Sequence, residues 1–112
     1  MSDIRERLSA EEEFEKLASD WRKDTSGSSL NLEIAMNPSY QRIIGMGERA
    51  LPLILSELDK RTESWFWALH AISGCDPVPE GSRGVREEMR ERWLEWGRQS
   101  GYLSKLEWGE QE

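Results

Sequence analysis

Apolar residues recur at helical intervals over most of this chain. Phe14, Leu17, Ala18 and Trp21 fall at i, i+3, i+4 and i+7, which places them on one stripe of a helix whose other face is charged. Ser9 precedes Glu12 by three places, the spacing at which each side chain satisfies the other residue's free backbone N–H. That pair predicts a helix opening at Ser9 behind a flexible lead of residues 1–8. Glu11, Glu12 and Glu13 suit the positive end of its dipole. Thr25-Ser26-Gly27-Ser28-Ser29 ends the helix in a loop. Leu30, Leu32, Ile34 and Met36 then alternate with polar or small residues. Period two is a strand signal, yet a single strand has no partner to pair with. The segment is therefore expected to lie across the core as extended or irregular chain, or as a short helix.

The densest apolar stretch runs from Tyr40 to Gly74. Asn37-Pro38 opens its first helix: asparagine caps, and proline sits where its missing N–H costs nothing. Tyr40, Ile43 and Ile44 form the apolar face, and Gly45-Met46-Gly47 makes the turn. A second helix from about Glu48 carries Leu51, Ile54, Leu55 and Leu58, with Pro52 confined to its first turn because an interior proline breaks a hydrogen bond. Thr62 or Ser64 is the expected cap of a third helix, which buries Trp65, Ala68, Leu69 and Ile72 and stops at Gly74. Cys75–Gly84, with Pro77, Pro79 and two glycines, is a stiff connector able to present a recognition edge. A last helix spans about Val85 to Ser100, its stripe Val85, Met89, Trp93 and Trp96, with Gly101 just past its end.

The segment GERALPLILSELDKRTESWFWALHAISG, residues 47–74, resembles a HEAT-type helical repeat. The residues that carry the likeness are Gly47, Ala50, Pro52, Leu53, Leu55, Leu58, Ala68, Leu69, Ile72 and Gly74. IIGMG before it looks like the end of a preceding unit, and the helix from Val85 like the start of a following one. One full unit is visible, whereas a repeat array stacks three or more, so the resemblance is to a HEAT-like mini-domain rather than a solenoid. The chain also resembles a family of small uncharacterised bacterial proteins with NPxYQxIIxMG and WFWALxAIxGxDPVP segments, here Asn37, Pro38, Tyr40 to Ile44, Met46 and Gly47, then Trp65 to Leu69, Ala71, Ile72, Gly74 and Asp76 to Pro79. No activity follows from that likeness. The expected architecture is all-α: a single domain over residues 9–103, built as a right-handed HEAT-like array of about five helices, with an acidic flexible tail at 104–112.

Composition narrows the function classes. A chain of 112 residues suffices for one small core. Its formal net charge of −7 opposes nucleic-acid binding and anionic membranes, both of which need cationic surface. Cys75 stands alone, which suits a reducing compartment, and MSDIRERLSAEEE has no apolar run, so a cytoplasmic location and no signal peptide are expected. No nucleotide-binding, zinc-protease, redox or hydrolase motif occurs, and one Cys with one His does not make a zinc site. Catalytic, metal and cofactor residues are expected to be none, and no small-molecule ligand is inferred. His70 and Cys75, five apart, are the one base and nucleophile to test.

The six tryptophans carry the functional expectation. Trp65, Phe66 and Trp67 are consecutive, and helix positions about 100° apart do not share a face. Either this helix is packed on two sides, or one ring is an exposed anchor. Trp108, in the polar tail, is a fourth candidate interface residue. The leading expectation is a non-enzymatic protein–protein interaction module, using a helical face with tryptophan anchors and an acidic rim. Its partner would be a basic protein or a second copy in a homodimer. The alternatives are a small antitoxin-like or immunity-like inhibitor masking a basic surface, and an enzyme subunit or weak hydrolase.

Overall fold

The computed structural model describes residues 2–25 and 31–103, with side chains from 10–25 and 34–103; the tail from 104 onward, including Trp108, lies outside the described residues. The described residues form six α-helices and two short 3-10 turns, with no strand: α1 (Ser2–Thr25), α2 (Asn31–Met36), α3 (Pro38–Gly45), α4 (Ala50–Lys60), α5 (Phe66–Ser73) and α6 (Arg86–Gln99). The protein is thus an all-α single domain. Its helices pack α1 on α3, α3 on α5 and α4 on α6, with α4 also touching α1 and α5.

The α1 stripe is buried as its spacing predicts, Phe14, Leu17, Ala18 and Trp21 being joined by Ala10. The helix opens at Ser2, so Ser9 is an interior residue and not the cap. The physical reason is that SDIRERL consists largely of residues that tolerate or favour helix, and an i, i+3 Ser–Glu pair also fits inside one. The alternating segment is the short helix α2, which satisfies its own backbone where a lone strand cannot. Trp21 fastens it by donating its indole N–H to the Ile34 carbonyl at 3.1 Å.

Asn37 caps α3 as expected, its Oδ1 accepting from the backbone N–H of Ser39 (2.9 Å) and Tyr40 (3.4 Å). A 3-10 turn, Gly47–Arg49, leads into α4, and Gly47 holds the positive φ of 76° that it needs. Pro52 is the third residue of α4, within the first turn, where no intrahelical bond is lost. Ala50, Leu51, Ile54, Leu55 and Leu58 are all buried.

Neither Thr62 nor Ser64 caps α5. Its N-cap position is Trp65, with no side-chain cap from its own segment. The free Ala68 N–H is instead bonded at 3.0 Å by the hydroxyl of Tyr40, which in turn donates to the Ser64 carbonyl at 2.8 Å. A residue of α3 therefore caps α5 across the core. Burial drives the Tyr40 phenol well above its ordinary value, with the Ala68 N–H working weakly the other way.

Helix α6 ends in a Schellman motif: Tyr102 N–H bonds to the Gly97 carbonyl at 2.8 Å and Gly101 N–H to the Arg98 carbonyl at 3.3 Å, with Gly101 left-handed. Arg90 of α6 closes the other end of the packing. Its guanidinium donates to the carbonyls of Leu58 and Asp59, both at 2.8 Å, and so occupies the free carbonyl end of α4. Arg22 does comparable work between α1 and the α4–α5 link, forking onto Glu63 (two bonds at 2.8 Å) and reaching Glu57 at 2.9 Å. Its own value is raised, first by the Glu63 bond.

Candidate functional site

The three consecutive aromatics separate by geometry. Trp65 is fully buried. Its ring lies 4.4 Å from that of Trp21, 5.6 Å from Phe14 and 5.8 Å from Tyr40, the last nearly parallel, and its indole N–H donates to Glu63 Oε1 at 3.1 Å. Trp65 is thus the centre of the core and not a surface anchor. It precedes α5 rather than sitting on one of its outer faces, so it is drawn inward with the Glu63 link. Phe66 is half-buried, and Trp67 is 52% exposed.

Phe66 and Trp67 line one groove of about 620 Å³. Ile34 and Ala35 of α2 line it, α5 contributes His70 as well, and α6 supplies Met89 and Trp93. The connector supplies Asp76, Val78, Arg83 and Gly84, and Arg86 stands at the start of α6. Among the described residues the exposed large apolar side chains are Met36, Trp67 and Val85. Trp67 lines the groove, Met36 follows Ala35, and Val85 lies between Gly84 and Arg86. Of the three, Trp67 is the one whose side chain lines the groove.

The connector owes its shape to a few contacts. Val78 is buried, and its N–H is accepted by Asp76 Oδ1 at 3.3 Å. Asp76 Oδ2 pairs with Arg83, which holds the Asp76 carboxyl below its ordinary value, the hydrogen bond being the main cause. Ser82, in the 3-10 turn Glu80–Ser82, is buried as well. His70 Nδ1 lies 2.9 Å from the Cys75 carbonyl and its ring 5.5 Å from that of Trp67. The imidazole thus braces the start of the connector. The Cys75 sulfur faces the Ser73 carbonyl at 3.7 Å.

The rim of this groove is not the acidic one expected around the tryptophans. Its charged or ionisable residues besides the buried Tyr40 are His70, Asp76, Arg83 and Arg86. Arg86 has one long hydrogen bond, to Ser64 Oγ at 3.3 Å, and among the described residues no carboxylate within ion-pair distance. Carboxylates cluster elsewhere, on the face of α6 where Glu87, Glu88, Glu91 and Glu95 line a smaller depression with Arg92 and Arg98. The groove residues Ile34, Val78, Arg83, Arg86 and Met89 were not legible as a site. The stiff connector was the one local signal, and only the tertiary packing sets it beside Trp67.

Among the described residues no group of three His, Cys, Asp or Glu side chains is placed to hold a metal ion, and no helix is long and apolar enough to cross a membrane. Comparison with known proteins finds no matching family, no matching curated protein and no matching solved structure.

Proposed function

We propose that this protein is a non-enzymatic interaction module that takes a segment of another protein into the groove beside Trp67. The observation that carries the proposal is the half-exposed Trp67 lining, with the half-buried Phe66, one open, largely apolar groove with a polar rim. Tryptophan in such a setting combines a large apolar area with few rotatable bonds, which is why it recurs as an interface anchor. The surrounding structure is preformed: α2 is tied to Trp21, α5 is capped by Tyr40, and the connector is held by Val78 and Asp76. Little ordering cost then remains on this side of a complex. The α4–α5 hairpin, with Gly47 before it, Pro52 in its first turn and left-handed Gly74 after it, supports the HEAT-like reading of the scaffold. The exposed, free Cys75 fits a cytoplasmic setting.

The test is affinity capture from native lysate followed by mass spectrometry, run in parallel with Trp67→Ala. Partners retained by the wild-type chain should be lost from the variant, while the two proteins unfold at the same denaturant concentration. A set of partners unchanged by Trp67→Ala would remove the groove from the explanation. A second reading has one specific observation in its favour, the carboxylate-lined face of α6. On that reading the protein is an inhibitor that masks a basic surface, and its binding weakens steeply with salt and survives Trp67→Ala.

A further inference from the structure

We infer that the segment received by the groove is acidic as well as apolar: a peptide stretch presenting a bulky apolar side chain to Trp67 and Phe66 and a carboxylate to Arg86. This rests on the groove being an interaction site and specifies its occupant. The argument is one of charge complementarity at a particular place. The chain as a whole is at −7, so its long-range field repels acidic ligands. The groove departs from that average. Asp76 is its one carboxylate and is already paired with Arg83, which leaves Arg86 as the cation with donor capacity to spare. Other arginines of the domain meet a different fate: Arg22 and Arg90 are each engaged by several acceptors of the fold.

Position matters as much as sign. Arg86 is held over the groove by its bond to Ser64 Oγ, and Ser64 also lines the groove. A carboxylate approaching Arg86 adds to a long bond with a neutral hydroxyl an ion pair with a charged acceptor, which accepts from a planar fork of donors. The adjacent apolar floor lowers the local dielectric and strengthens that contact over one on open surface. A basic segment would instead bring a second cation against Arg86 and Arg83, with Asp76 already engaged.

The probe is a library of random linear peptides displayed on phage, selected against the full chain at low ionic strength. Selected sequences should pair Asp or Glu with aromatic or branched apolar residues. Synthetic copies should lose about tenfold or more in affinity on Trp67→Ala. Arg86→Glu should reverse the preference, so that selection on that variant enriches Lys and Arg at the carboxylate position. Trp67 and Arg86 are both exposed, so neither change threatens the fold. The inference is overturned if wild-type selection enriches basic peptides, if it yields none that depend on Trp67, or if Arg86→Glu leaves the selected charge unchanged. Concentration-dependent dimerisation abolished by Trp67→Ala would overturn it in favour of a second copy as occupant. Peptides that need Trp67 but ignore Arg86 would sink the acidic occupant while leaving the interaction module standing; loss of all Trp67 dependence would remove both.

Discussion

Tyr40 concentrates three functions in one side chain: its ring packs against Trp21 and Trp65, its oxygen accepts from Ala68, and its hydroxyl proton goes to the Ser64 carbonyl. Tyr40→Phe keeps the ring and strands two backbone groups. A buried unsatisfied group costs about 1–3 kcal/mol, so the variant should lose about that much in urea denaturation at neutral pH, with its helical circular dichroism retained. The same substitution tests the titration. The folded phenol lies above its ordinary 10.0, so the unfolded chain gives up this proton first as pH rises. Stability from Tyr40 is therefore whole below pH 10 and declines above it, and the stability difference between wild type and Tyr40→Phe should narrow there. Gly97 poses a steric question. A Cβ at this position would sit 2.8 Å from Leu55 Cδ1 in the sealed α4–α6 contact. Gly97→Ala gains up to about 1 kcal/mol of helix propensity, but overpacking costs typically 1–3 kcal/mol. Net destabilisation is expected, and Leu55→Val, which removes the offending end of the side chain, should make the double variant more stable than the sum of the two singles implies.

At the scale of elements, what could be read from the chain was what neighbours in sequence decide. The Asn37-Pro38 start of α3 and the four-residue stripe of α1 depend on contacts within one or two turns, and the structure has both. The cap of α5 escaped because it comes from Tyr40, 28 positions away, whereas the local candidates Thr62 and Ser64 are engaged by Glu87 and Arg86 of α6. The α6 stripe was legible in part: Trp93 is buried and Met89 and Trp96 are half-buried, but Val85 is exposed because it stands before the helix. Of the candidate site, Trp67 was within the expected set, Trp65 is in the core as its place on the buried stripe predicts, and the cationic rim was invisible because Arg83 and Arg86 join Trp67 only through packing. The capping of α4 by Arg90 was equally non-local, and it gives the prediction for this scale. Arg90→Met keeps the stem and removes donors to the Leu58 and Asp59 carbonyls. A loss of about 1.5–3 kcal/mol is expected from hydrogen bonds to a charged group. Hydrogen exchange should accelerate first in the last turn of α4, and protection unchanged there would show that the cap contributes nothing.

Across the whole molecule, charge is sorted by location, and the sorting decides how the fold responds to acid. Among the described residues, Glu12, Glu13, Glu15 and Asp24 of α1 and Glu87, Glu88, Glu91 and Glu95 of α6 are exposed, where charge contributes solubility more than stability. Glu57 is different: its side chain is 17% exposed and is bonded by Arg22 from α1 and Lys60 from its own helix. Burial pushes its carboxyl up, but the two hydrogen bonds and the attraction of the two cations outweigh burial, and the folded value lies below the ordinary 4.5. A carboxylate depressed on folding stabilises the folded state above its unfolded value, and that contribution is lost as pH falls through the folded one. In that window the unfolded chain binds more protons. Glu57→Gln removes the titration and the ion pair together. At about pH 7 it should lower stability by about 1 kcal/mol, the scale of a partly exposed pair. As the pH drops below 4.5 the wild type loses this advantage and the two unfolding curves should approach each other. The fork of Arg22 on Glu63 persists in the variant, so α1 stays tied to the α4–α5 link and the native fold is retained. Parallel denaturation curves with an undiminished gap in acid would show that Glu57 titrates alike in the folded and unfolded chains, and the acid sensitivity of the domain would then have to arise among its exposed carboxylates.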